Sequence, residues 1–284
     1  MIGQLMDIFK LRIGLFMAVT ALAGYAVTPG VQLSLPELFM LAAVTVGASG
    51  AAGAFNQYME WDLDRLMPRT ASRPFVTGAM PRSGWWMWLI GAILLFSVAV
   101  AGWLFNPLVA VHLFLGAFFY GVVYTLWLKR RTPMNIVIGG AAGSFAVLVG
   151  ASAADPSLNP ASLLLATVLF LWTPPHFWSL AIAQKEEYAA ASVPMLPVVK
   201  GDALTAKVIL INTLILVLVA VLPVFFGMGM IYLTGAVLGG AWFLYRSYRL
   251  YRNPGRAEAM GCFLASLAQL ALLMTGAILD VQIA

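Results

Sequence analysis

The sequence predicts an all-α membrane protein, a polytopic bundle of nine transmembrane helices with its N-terminus cytoplasmic and its C-terminus external. Three observations carry this. The composition is 62% hydrophobic and only 10% charged, with a mean hydropathy of +0.92, and the surface of a water-soluble chain needs far more polar side chains. Apolar runs of bilayer-spanning length, about 20 helical residues each, recur along the whole chain. All 16 lysines and arginines fall on one side of the bundle so drawn, which the positive-inside rule assigns to the cytoplasm.

The first span covers about 13–29 and follows Lys10 and Arg12. Those charges, with small residues near Ala21 and Ala23, also suit a signal peptide, but eight further spans follow, so it reads as an uncleaved helix. The second span, about 36–56, leads into a loop carrying Arg65, Arg69, Arg73 and Arg82. Spans three and four, about 85–105 and 107–128, are divided by the turn residues Asn106-Pro107, and Lys129-Arg130-Arg131 closes the fourth. Spans five and six cover about 134–153 and 161–183; Lys185, Lys200 and Lys207 lie between the sixth and seventh or beside them. Gly227-Met228-Gly229 separates the seventh, about 205–226, from the eighth, about 229–245. Arg246, Arg249, Arg252 and Arg256 then precede the ninth, about 262–280. Glu37, Asp155 and Asp280 fall on the opposite side. The net charge of +5 is thus first a topology signal. The lone Cys262 excludes an intrachain disulfide and a multi-thiolate metal site. The chain reads as one integral-membrane domain over residues 1–284, with functional loops at about 57–84 and 184–204, a lipid bilayer as its surroundings and no nucleic acid as partner.

Asn56, Glu60 and Asp64 recur every four residues at the inner end of the second span. On a helix residues four apart share a face. That face offers hard oxygen ligands, which suit Mg²⁺ carrying a diphosphate, and Arg69 and Arg73 repeat the interval where they can grip the same anion. The plain alternative is a solvated, mixed-charge helix end. The loops after spans two and six are the long ones, about 28 and 21 residues. Both begin with acids: Glu60, Asp62 and Asp64 in one, Glu186 and Glu187 in the other. A period of four spans suggests an internal duplication that brings the two acidic ends face to face around shared Mg²⁺. Lys129, nearest the membrane in its triplet, either reaches the diphosphate or anchors the topology, and Arg131 faces head groups. His176, between Pro175 and Phe177, is a site residue by its depth in the membrane, or else satisfies a carbonyl freed by the prolines. His112 lies about 15 Å away in depth, too far for the two histidines to ligate one group from opposite sides, and reads as structural.

The stretch from Asn56 through Glu60, Asp64, Arg69 and Arg73 to Pro74 resembles the first signature of the UbiA-type intramembrane prenyltransferases. Three further stretches are similar to the protohaem IX farnesyltransferase branch. These run from Tyr124 through Lys129 to Pro133 with Asn135–Gly140, from Trp172 through His176 to Trp178, and from Lys185 through Tyr188 to Pro197. The resemblance implies a nine-helix bundle in a bacterial inner membrane, opening to the cytoplasm. It implies Mg²⁺-dependent transfer of farnesyl from farnesyl diphosphate to the vinyl group of haem B, giving haem O, with a haem A synthase or oxidase-assembly protein as partner. Carried over by position, Asn56, Glu60 and Asp64 are the first metal-diphosphate motif, Glu60 standing where Asp is more frequent. Arg69, Arg73 and Lys129 are diphosphate contacts, Glu186 and Glu187 further metal ligands, and His176, Lys185 and Tyr188 contacts to haem or diphosphate. The second motif departs from the superfamily spacing, since Gln184 and Tyr188 flank Lys185-Glu186-Glu187. Tyr58, Tyr120, Tyr124 and Tyr188 offer π faces to an allylic cation or serve ordinary packing. Prenylation of an aromatic quinone precursor uses the same donor site. A transporter with inverted repeats is the alternative of a different class, although transport charges belong near the midplane rather than at inner helix ends.

Overall fold

The computed structural model describes the backbone of residues 1–283 and the side chains through residue 281. Among the described residues nine long helices follow one another: α1 Leu11–Ala26, α2 Leu35–Met59, α3 Trp85–Leu104, α4 Pro107–Leu128, α5 Asn135–Ala154, α6 Pro160–Ala183, α7 Asp202–Phe226, α8 Met230–Arg252 and α9 Arg256–Ile283. Each predicted span falls on one of them. Seven, α2 to α7 and α9, are long and apolar enough to cross a membrane. α1 is shorter at 16 residues, and α8 carries Arg249 and Arg252 in its last turn. Side chains such as Trp88, Trp103 and Phe225 are exposed, as they must be where the solvent is hydrocarbon.

Helix starts at the end away from the long loops are written into the sequence. Ser34 and Glu37 form a capping box at α2. Asn106 and Asn159, each followed by proline, accept from the first free amides of α4 and α6. The α8 start is capped from a distance, by Asp280 of α9, whose carboxylate accepts from Gly229 N, from Ile231 N at 3.0 Å and from Tyr232 N at 3.2 Å. A negative charge there also offsets the positive end of the helix dipole.

Each long helix packs on the next, α9 returns to α1, and α6 packs on α9. α1 also crosses α5 at glycines on both helices, Gly24 beside the Val147 carbonyl and Gly150 beside the Ala21 carbonyl. With no hydrophobic drive between helices in lipid, such backbone contact is what association uses.

Two features depart from expectation. Pro174 and Pro175 do not break α6, which runs unbroken through them. Pro175 strips the Leu171 carbonyl of its helical donor, and Asn212 of α7 supplies the replacement, its Nδ2 donating to Leu171 O at 2.7 Å. His176 is therefore not needed for that carbonyl. The second feature is the last turns of α4, Phe119–Leu128, which are wound as a π-helix. π-winding is rare and gathers at functional sites.

Candidate functional site

Asn56 lies in the buried part of the last turns of α2, Glu60 is the residue on which α2 stops, and Asp64 closes the one-turn helix Trp61–Asp64. The joint hardly interrupts the ladder, since Glu60 N donates to Asn56 O at 3.0 Å and Asp64 N to Glu60 O at 2.9 Å. The four-residue spacing therefore keeps its meaning across the break, and all three side chains line one cavity of about 650 Å³. All three are buried, with 2%, 1% and 3% of their surface exposed.

Buried carboxylates must be paired, and each of these residues has a cation. Lys129 Nζ donates to Glu60 Oε2 at 2.5 Å. Arg73 donates to Asp64 Oδ2 at 2.6 Å. Lys10 Nζ donates to Asn56 Oδ1 at 2.7 Å and to the Tyr120 hydroxyl at 3.0 Å. Asn56 is turned the right way for this because its Nδ2 is held by Thr125 Oγ1 at 2.9 Å, and that hydroxyl donates to Tyr120 O. Glu60 Oε1 is buried without a partner. Burial lowers the Lys10 pKa to about 7, with Arg73 and Lys129 adding to the fall and Glu60 and Asp64 opposing it. Burial also works against the Lys129 ammonium, but the Glu60 carboxylate outweighs it and holds that pKa above the ordinary lysine value.

The π-wound end of α4 supplies the opposite wall. Tyr120 and Tyr124 stack with centroids 5.8 Å apart, and Lys10 and Lys129 lie over their faces at 5.5 and 5.6 Å. Tyr188 and the exposed Arg69 complete the polar rim, and Phe177 and Leu180 of α6 add apolar lining. Tyr58 is elsewhere, edge-on to Phe75 and beneath Arg82.

The structure thus brings together Asn56, Glu60, Asp64, Arg69, Arg73, Lys129 and Tyr188, and adds Lys10, which the sequence marked only as a topology charge. It does not bring in the second acidic cluster. Glu186 and Glu187 line a separate cavity of about 270 Å³ with Lys185, Asp202 and Arg256, and Lys185 pairs with Asp202 at 3.0 Å. Those three side chains sit on the short helix Lys185–Ala190, which turns Tyr188 inward and buries it. Nor does His176 reach the cavity lining. Its ring is clasped between Trp172 and Phe263, at centroid distances of 4.1 and 4.6 Å, and its Nδ1 meets Ser266 Oγ at 2.7 Å. It is a joint between α6 and α9. His176→Ala is accordingly expected to cost about 2–4 kcal/mol of stability through the cavity it leaves, read by thermal unfolding of the purified protein, with no loss of haem affinity in an optical titration. His112 is likewise bonded within the bundle, Nδ1 to Ser152 Oγ at 2.8 Å.

The family model described as UbiA prenyltransferase family matches residues 17–273, nearly the whole chain. The chain belongs to the UbiA prenyltransferase family. This UbiA-family chain is 53% identical to "Protoheme IX farnesyltransferase 2" of Paramagnetospirillum magneticum, over 97% of its own length and 96% of the relative's. It is 44% identical to "Protoheme IX farnesyltransferase 1" of the same organism, over 98% of each. A UbiA homologue from Archaeoglobus fulgidus, solved bound to DMAPP and Mg²⁺, superposes with a TM-score of 0.76 over 95% of this chain and 99% of that one. At 15% identity that likeness shows the shared fold alone. Family membership and the run of apolar helices make this an integral membrane prenyltransferase.

Proposed function

We propose that the chain transfers the farnesyl group of farnesyl diphosphate to a vinyl group of haem B, giving haem O for oxidase assembly. The observation that carries the acceptor is the near full-length identity to proteins named protoheme IX farnesyltransferase. The donor side rests on the cavity, where three oxygen-bearing side chains converge beneath four cations, Lys10, Arg69, Arg73 and Lys129. The residues fit a magnesium ion. They offer hard oxygens, which Mg²⁺ prefers, and Glu60 Oε1 is a buried acceptor with no donor. Asn56, Glu60 and Asp64 would hold the ion, and the ion when bound neutralises the leaving diphosphate as a Lewis acid.

The chain's own residues do the rest. Lys10, Lys129, Arg73 and Arg69 donate charge-assisted hydrogen bonds to the diphosphate oxygens as negative charge builds there. The allylic C–O bond breaks and its electron pair leaves with the diphosphate. The vinyl carbon forms the new C–C bond, and a water adds to the resulting cation and loses a proton, leaving a hydroxyalkyl chain on the porphyrin. Tyr120, Tyr124 and Tyr188 line the cavity in which the allylic cation would form, and aromatic rings stabilise such a cation. Glu186 and Glu187 have no part in this scheme. The reading also takes all nine helices as spanning a bacterial inner membrane, with the site end cytoplasmic because every lysine and arginine gathers there. A haem A synthase or oxidase-assembly protein would receive the product.

Membranes carrying the protein, incubated with haem B, Mg²⁺ and farnesyl diphosphate, should yield a more hydrophobic haem on chromatography, and chelation of Mg²⁺ should suppress it. A prenylated quinone precursor with no change in haem would move the acceptor assignment and leave the donor site standing.

A further inference from the structure

Each of the three residues assigned to the metal has one oxygen held by a cation from a different part of the chain, Asn56 Oδ1 by Lys10 ahead of α1, Glu60 Oε2 by Lys129 at the end of α4, and Asp64 Oδ2 by Arg73 in the loop after α2, while Glu60 Oε1 has no donor. A divalent ion that draws on these side chains competes with the cations for their negative charge. We propose that Lys10, Lys129 and Arg73 are exchangeable counter-ions that turn from the ligand oxygens to the diphosphate as the metal arrives, so that the ion binds only together with its diphosphate. This rests on the metal-diphosphate reading above and adds to it an order of binding and a role for Lys10.

The argument is one of charge in a buried place. A metal ion alone draws on both carboxylates, loosens the pairing of Lys129 and Arg73, and sets a new double positive charge beside them and Lys10. Unpaired buried charge costs several kcal/mol per ion. A diphosphate removes that cost, because it supplies several negative oxygens to the same cavity. Coupling of this kind is reciprocal, so the metal must raise affinity for diphosphate by the factor that diphosphate raises affinity for the metal.

Lys10 separates this from simple anion attraction. Its partner Asn56 is neutral, so removing the ammonium leaves no orphaned carboxylate and frees one ligand oxygen. Full-length protein in detergent would be dialysed against Mn²⁺ as a probe for Mg²⁺, with and without inorganic pyrophosphate, at matched free Mn²⁺. Wild type should bind Mn²⁺ about tenfold or more tightly when pyrophosphate is present. Lys10→Met should bind Mn²⁺ alone about tenfold more tightly than wild type and show a smaller gain from pyrophosphate, and Lys10→Arg should retain the wild-type coupling. Equal Mn²⁺ affinity with and without pyrophosphate in wild type would overturn the proposal while leaving the metal site intact. So would unchanged Mn²⁺ binding in a folded Lys10→Met. If no condition gives Mn²⁺ binding that Asp64→Asn abolishes, the metal reading falls and the proposal with it.

Discussion

Asp64→Asn should lower the rate of prenyl transfer by about 10²–10³-fold while the protein stays folded in the membrane. Asparagine preserves the shape and can still accept the Arg73 hydrogen bond, now 2.6 Å long, so the loop that carries Arg69 and Arg73 keeps its anchor. The structural cost is that of exchanging a charged acceptor for a neutral one, about 1–2 kcal/mol. What is lost is a buried negative oxygen able to share a divalent ion with Glu60. Asp62, two residues earlier, is the matched control. It faces outward, its pairing to Arg130 leaves side chains 47% and 43% exposed, and the hydrogen bond from Arg130 lowers its pKa without drawing it toward the cavity. Exposed pairs contribute about 0–1 kcal/mol, so Asp62→Asn should leave both stability and transfer close to wild type. The measurement is haem product formed per mole of folded protein under saturating farnesyl diphosphate. Near-wild-type turnover in Asp64→Asn, or an equal loss in Asp62→Asn, would remove the carboxylate from the chemistry.

The separation of Asp62 from Asp64 was legible in the sequence, because a period of four survives even where the helix that displays it stops at Glu60. Other parts of the site were not legible, each for a definite reason. Lys10 sits in the left-handed region, φ 46°, between the short helix Ile2–Ile8 and α1, and that reversal folds it over Asn56. No periodicity encodes a turn whose reward lies 46 residues away. Lys129 was visible as a charge, but not the winding that delivers it. At 100° per residue an α-helix would set Lys129 about 180° around the axis from Tyr120. The i→i+5 bond from Lys129 N to Tyr124 O widens the turn, and both side chains line one cavity. The second acidic cluster was misplaced for a similar reason. The repeat of four spans put Glu186 and Glu187 at the right end of the bundle, but the short helix after α6 points its tyrosine at the cavity and its acids away. For His176 the neighbours were not legible, since Trp172 is supplied by its own helix and Phe263 by one 87 positions on.

Gly150→Ala is the smallest change expected to disturb the whole bundle. A Cβ at Gly150 would lie 1.7 Å from the Ala21 carbonyl oxygen and 2.7 Å from the Tyr25 amide nitrogen, both backbone atoms of α1 that no side-chain rotation can move. The reciprocal position is no freer, since a Cβ at Gly24 would meet the Val147 carbonyl oxygen at 2.1 Å. α1 and α5 must therefore separate, and overpacking of this kind costs about 1–3 kcal/mol or more. The displacement does not stay local. α1 is a rigid rod whose first residue follows Lys10, so moving it shifts the ammonium that Asn56 and Tyr120 hold. Thermal unfolding in detergent should come at a lower temperature, and the folded remainder should bind pyrophosphate more weakly than wild type. Gly143→Ala on the same helix has nothing within 4 Å of its Cβ and should be neutral or gain about 0.5–1 kcal/mol from helix propensity. Different outcomes for two identical substitutions seven residues apart on one helix come from what each faces. Unfolding of Gly150→Ala at the wild-type temperature would mean that α1 and α5 do not touch backbone to backbone, and that the position of Lys10 is set by something other than this crossing.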